Sequence, residues 1–359
     1  MFRVACPERS RRAQHDRAIY EINRITRQPQ NLNLKTENRS VYAVVVMQER
    51  EKSFYVVFAI AAALIVPAAI ALQTVVHPAI LQSTSDNPTP LGYTWSLGLF
   101  IVPIAALAWW FACRPDLKFP RKAFWRTIGL LTPLGFALDF LFGNAFFTFP
   151  NKAATLGCEV PALGGPIPIE EFIFYLTGFM LVLLSYIWCD EYWMAAYNVP
   201  DYEEAAKDIP RIVRFHFASI VIGGVLIVAA IVYRKFVSGA SEGFPWYCVY
   251  LVCASLIPSA GFFYTAQRFI NWRAFSFTFF LLLLISLLWE ATLALPYGWW
   301  EYRGNILIGL QIGAWSGLPI EAVCVWFAVT FTTVITYEVI KIWKALGTRA
   351  LEAFFVIGK

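Results

Sequence analysis

Gly164-Gly165-Pro166-Ile167-Pro168-Ile169-Glu170-Glu171-Phe172-Ile173-Phe174-Tyr175 turns a loop into an apolar helix and places two carboxylates, Glu170 and Glu171, in the first turn of that helix. A second stretch, Ser316-Gly317-Leu318-Pro319-Ile320-Glu321-Ala322-Val323-Cys324-Val325-Trp326, repeats the pattern, so that Pro168, Ile169 and Glu170 recur 151 positions on as Pro319, Ile320 and Glu321. The same offset relates Gly92 to Gly243, Trp95 to Trp246, Ala123-Phe124 to Ala274-Phe275, Asp139 to Glu290 and Tyr186 to Tyr337. An acid therefore precedes each Pro-Ile-Glu at a fixed distance. The chain reads as two copies of one membrane unit, each presenting a pair of carboxylates.

Composition sets the class. Hydrophobic residues make up 58% of the 359 positions and charged residues 15%, with long uncharged apolar runs, the composition of an integral membrane protein. The net charge of +5 does not point to nucleic acid, because eleven of the 29 Lys and Arg lie in the first 52 positions among six acidic residues. Seven scattered cysteines without CxxC spacing and three distant histidines (His15, His77, His216) suggest neither a disulfide framework nor a metal site. Neither GxGxxG after a strand nor GxxxxGK[ST] occurs, so no nucleotide or redox cofactor is expected.

Residues 1–52 read as a polar, disordered cytoplasmic tail without a signal peptide, with Met47 as an alternative start ahead of the first apolar run. Eight segments of spanning length follow, at 53–75, 93–113, 123–143, 169–189, 212–233, 246–264, 274–294 and 318–340. The expected fold is all-α, with two parallel four-helix repeats over 53–205 and 206–359. Basic residues in the tail, 114–122, 207–214, Arg268 with Arg273, and Lys341 with Lys344 place one set of connections and both termini in the cytoplasm. Arg234-Lys235 is the exception to that alternation. On this topology Asp139 and Glu290 end one helix of each repeat at the depth where Glu170, Glu171 and Glu321 begin the next. The loops between, 144–168 and 295–317, carry Phe147, Phe149, Trp299, Trp300 and Tyr302.

These residues admit two readings. An acid in the first turn of a helix is favoured by the macrodipole, by ~0.3–1 kcal/mol, and proline suits a helix start, which makes Pro168 and Pro319 structural. Recurrence of both acids, and the functional bias of ionisable groups inside membranes, favour chemistry. A carboxyl in an apolar pocket tends to keep its proton, which suits donation to a very weak base. The aromatic rings suit either an interfacial belt or stabilisation of a cation, at ~0.5–2 kcal/mol each.

Taken in order, the acid, the aromatic loop, Gly, Pro-Ile-Glu-Glu and a late Tyr-Glu resemble the lycopene cyclase domain family of small membrane carotenoid cyclases. The resemblance covers 91–190 and 242–341, through Asp139 and Pro168-Ile169-Glu170-Glu171, then Glu290, Gly298-Trp299-Trp300-Glu301-Tyr302, Leu318-Pro319-Ile320-Glu321 and Thr336-Tyr337-Glu338. Phe149 stands where the family pattern has a loop tryptophan, and Ala322 replaces the second glutamate. The helices at 53–75 and 212–233 are additions to a three-helix unit.

The resemblance implies an intramolecular lyase that protonates the end of an acyclic carotenoid such as lycopene, closes a ring through a cation and releases a proton, without cofactor or net redox change. Glu170 and Glu321 would then be the donors, with Asp139, Glu171 and Glu290 as partners. The repeat itself suggests one composite site between the halves rather than two independent ones. Substrate would come from the bilayer, with other carotenoid-pathway enzymes as neighbours. The competing expectation is a transporter or binding protein with the carboxylates as a cation or proton path.

Overall fold

The computed structural model describes residues 90–114, 119–239 and 242–355. The expected tail and the segment at 53–75 lie outside them. Among the described residues seven helices are long and apolar enough to cross a membrane: α1 Gly92–Ala112, α2 Arg121–Phe146, α3 Ile169–Trp193, α4 Phe217–Val237, α5 Trp246–Ala266, α6 Trp272–Ala294 and α7 Ile320–Leu346. They coincide with the remaining seven segments to within a few residues at most ends. The chain is thus a mostly helical, multi-pass membrane protein.

Large apolar side chains such as Val102, Leu130, Ile222, Val225 and Ile257 stand exposed along these helices. A surface so apolar is unfavourable in water and is matched by lipid, where each helix satisfies its own backbone hydrogen bonds. Burial ranks the helices. Of the apolar 18-residue stretch of each, about two thirds is buried in α3 (67%) and over half in α7 (56%), against 17% in α4. The two helices that follow Pro168 and Pro319 are therefore the axis of the bundle, and α4 lies at its edge against α5.

Among the described residues there is little sheet, and it lies in the loops at one end. Strand β1 (Phe147–Thr148) pairs antiparallel with β4 (Glu301–Tyr302), joining the loop after α2 to the loop after α6. Strands β2 (Glu159–Ala162) and β3 (Gly165–Pro168) form a hairpin, and β5 (Gln311–Ile312) pairs with β6 (Leu318–Pro319). The turn between β2 and β3 takes φ of +88° at Gly164, and β3 opens with φ of +143° at Gly165, a region open to glycine. Pro168 and Pro319 each close such a pairing and sit as extended N-caps, at φ −64° and −68°, directly before α3 and α7. Their ring sets that angle in advance and removes an N–H the helix start would leave without a partner.

Further hydrogen bonds tie the two long loops together. Arg303 donates from Nε to the Asn144 carbonyl at 2.8 Å, and Asn151 donates from Nδ2 to the Tyr297 carbonyl at 3.0 Å. Arg234 and Lys235, the exception in the charge pattern, hold the connection that follows α4. The Arg234 guanidinium is buried and donates to the Glu242 carbonyl, while Lys235 reaches the Gly243 carbonyl at 2.8 Å.

Candidate functional site

All five acids singled out in the sequence are buried: Asp139, Glu170, Glu171, Glu290 and Glu321. Their surroundings divide them. Glu171 and Glu290 line one cavity of about 70 Å³, walled by aromatic residues of α3, α5, α6 and α7 and of both loops. Phe174, Tyr247, Trp289, Trp300, Tyr302 and Trp326 form most of that wall, and Phe147 belongs to it as well. Glu171 comes from the first half of the chain and Glu290 from the second.

Each cavity acid is held by a phenol. Tyr93 O–H donates to Glu171 Oε1 at 2.5 Å, and Tyr302 O–H donates to Glu290 Oε2 at 2.6 Å. Glu290 also accepts from Ser286 Oγ at 2.7 Å and from Trp326 Nε1 at 3.3 Å. Burial, and then the negative charge of Glu290, raise the Tyr302 hydroxyl well above its ordinary pKa, so it remains a donor through the neutral and mildly alkaline range. A fixed donor on each carboxyl orients the acid.

Glu170 and Glu321 serve the loops instead. Glu170 Oε1 accepts from the Leu156 backbone N–H at 2.7 Å and from Thr94 Oγ1 at 2.6 Å, and Glu321 Oε1 accepts from the Ile308 N–H. Each reaches back across the loop that precedes its own helix. The second oxygen of each, Oε2, is buried without a hydrogen-bond partner. Neither acid lines the cavity. Asp139 packs in α2 with Oδ2 likewise unpartnered, close enough to Tyr93 and Glu171 to act on both electrostatically.

The aromatic candidates separate in the same way. Phe147, Trp300 and Tyr302 face the cavity, whereas Trp299 is buried behind it, stacked on Tyr93 at 6.3 Å between ring centres. A side chain at Gly92 would meet that indole, its Cβ 2.6 Å from Trp299, which is what the glycine at the head of α1 permits. Phe149 borders a separate polar cavity among the loops. Burial of Trp299 and Trp300 removes them from any interfacial belt.

Several residues of the site carry no signal in the sequence. Tyr93 and Ser286, which donate to the cavity acids, and Tyr247 on the wall are ordinary polar or aromatic residues in apolar helices. Trp289 had a readable signal in its position beside Glu290, as did Trp326 at the end of the second Pro-Ile-Glu stretch.

A second buried polar cluster occupies the opposite end of α3 and α7, about 30 Å away at 1.5 Å per residue. Glu338 accepts from Tyr186 at 2.9 Å and from Tyr202 at 2.5 Å, and Lys341 lies 3.4 Å from Asp190 and 3.8 Å from Glu338. Among the described residues no group of His, Cys, Asp and Glu is arranged to hold a metal ion.

Fold and site define a multi-pass helical membrane protein with two oriented carboxyls in one buried aromatic cavity. Known protein families, curated proteins and solved structures all return no match to this chain.

Proposed function

We propose that this protein is a carotenoid cyclase of the lycopene cyclase type, closing rings at the ends of an acyclic polyene by proton-initiated cation chemistry. The observation that carries the reading is the cavity in which Glu171 and Glu290, from different halves of the chain, face an aromatic lining. An alkene is a very weak base, so its protonation needs a carboxylic acid kept out of water and held in position. The resulting tertiary cation needs electron-rich faces rather than a nucleophile, and Trp289, Trp300 and Tyr247 supply them. A final proton loss to a carboxylate leaves the ring.

Proton addition and removal are assigned to the pair Glu171 and Glu290, with Tyr93 and Tyr302 positioning them. Glu170 and Glu321, the donors the family resemblance implies, act here through the loops that roof the cavity. The repeat is part of the proposal: two four-helix units over 53–205 and 206–359, parallel, with the loops at 144–168 and 295–317 outside and both termini in the cytoplasm. One composite site follows, since neither half contains both acids. The substrate enters from the bilayer, and enzymes that make or modify the same polyene are its natural neighbours.

The test is expression in cells that accumulate an acyclic carotenoid such as lycopene, followed by pigment chromatography. Cyclic products are expected, and an unchanged pigment with the protein present in the membrane would sink the reading.

One observation favours a second reading, a proton path across the membrane. Acid clusters stand at both ends of α3 and α7, and Ser185, Thr330 and Thr333 between them carry buried hydroxyls without a partner. Proteoliposomes containing a pH-sensitive dye decide that question: proton flux without carotenoid turnover would favour it over the cyclase.

A further inference from the structure

Two cavities meet at Phe147. The aromatic cavity lies on one side of it, and on the other lies a polar cavity bounded by Asn144, Thr148, Asn151, Lys152, Glu159 and Arg303 among the loops. Phe147 is the one residue common to both walls. Its position is over-determined. Backbone pairing sets it opposite Tyr302, its N–H bonds the Gly143 carbonyl at the end of α2, and its ring packs on Tyr302 at 5.2 Å and Tyr247 at 5.6 Å between centres. Phe147 is thus the residue at which the polar loop cavity and the cavity of the two carboxyls adjoin.

Resting on the cyclase reading, we propose that Phe147 is a water barrier that commits the substrate cation to ring closure. Once a terminal double bond has taken its proton, the tertiary cation has two nucleophiles within its chemistry. The neighbouring double bond gives a new carbon–carbon bond and, after proton loss, a ring. A water molecule gives a new carbon–oxygen bond, the oxonium loses its proton to the carboxylate that began the reaction, and the product is an acyclic tertiary alcohol. That second course adds one water across the double bond with no oxidant or reductant. Exclusion of water is what separates the outcomes, and the lining around Glu171 and Glu290 is otherwise largely hydrophobic and aromatic. Removing the Phe147 ring joins the polar cavity to the reaction cavity and turns a cyclase toward a hydratase.

The experiment compares wild type, Phe147→Ala, Phe147→Val, Phe147→Leu and Phe149→Ala, in membranes supplied with the acyclic carotenoid in water labelled with heavy oxygen, read by mass spectrometry. The expected result is a labelled tertiary alcohol, absent from wild type, that becomes a major product for Phe147→Ala or Phe147→Val at the expense of the ring. Phe147→Leu keeps the partition closed without a π-system and should form rings only, more slowly. Phe149→Ala, whose side chain borders only the polar cavity, should match wild type. Rings from wild type with no labelled alcohol from either small variant overturn the barrier while leaving the cyclase standing. A wild type that forms no ring removes the cyclase itself.

Discussion

Tyr302 donates its hydroxyl hydrogen to Glu290 at 2.6 Å, from a loop strand onto the last turn of a membrane helix, and the equivalent service for Glu171 comes from Tyr93 on α1. The two phenols thus approach the two cavity acids from different parts of the chain. Loss of a hydrogen bond to an ionisable partner is worth about 1.5–3 kcal/mol, or roughly 10–100-fold in rate. Tyr302→Phe and Tyr93→Phe should each slow ring formation to that degree while the protein still purifies as a folded species. Because burial and the charge of Glu290 raise the Tyr302 hydroxyl, its neutral, donating form dominates as pH rises through the ordinary tyrosine range. The wild-type rate should therefore show no step from this residue on the alkaline side, and a loss of activity near pH 10 that disappears in Tyr302→Phe would contradict the assignment.

Glu171→Gln and Glu290→Gln keep size and hydrogen bonding but remove the acid. Each should cost about 10²–10⁴-fold in turnover, the range of general acid–base catalysis. Glu170→Gln and Glu321→Gln retain an oxygen able to accept from Leu156 and Ile308, and should stay active; Glu321→Ala should lose about 1–3 kcal/mol of stability instead. Measured turnover and thermal midpoints in detergent separate the pairs. The opposite ranking would return the donor role to Glu170 and Glu321.

Gly178 lies on the cavity wall about 10 Å below Glu171 along α3, and a Cβ built there meets nothing within 4 Å. Its bare backbone leaves room for an apolar chain to descend toward the middle of the membrane. Gly178→Ala should fold as well as wild type or better, since alanine favours a helix. Gly178→Leu and Gly178→Phe fill the space and should lower kcat/KM for a long polyene by about tenfold or more, at least ~1.4 kcal/mol. Gly129, exposed on α2 with equally open surroundings, supplies the control, and equal losses in Gly129→Leu would show the effect to be unspecific.

At Gly243 the backbone takes φ +84°, and a Cβ would lie 2.2 Å from the Asn305 carbonyl oxygen. A left-handed position alone costs an L-residue about 1–2 kcal/mol, before the collision with backbone. Gly243→Ala should therefore lower the thermal midpoint clearly, whereas Gly224→Ala, mid-helix in α4 with open space around it, should hold or raise it. Indistinguishable midpoints would mean that this junction is not fixed as the structure has it.

Long apolar runs have one solution in a bilayer, helices that satisfy their own backbone, so seven spans were legible in the sequence to within a few residues at most ends. Helix α2, however, runs on to Phe146, so Asp139 lies about two turns inside it rather than at its end. Pro168 and Pro319 marked the starts of α3 and α7 because a proline ring fixes the local angle with no help from its surroundings. Which neighbour faces the cavity was not legible. Glu170 and Glu171 are adjacent and chemically identical, but successive residues on a helix point about 100° apart, and only the packing of α3 against α6 and α7 decided that Glu171 meets the cavity while Glu170 turns to Leu156. Trp299 and Trp300 are likewise neighbours that part on their loop, one lining the cavity and the other stacked on Tyr93. Sequence spacing determined that carboxyls and rings would gather at one end of the bundle; side-chain direction, a product of tertiary contacts, decided which of them share a cavity.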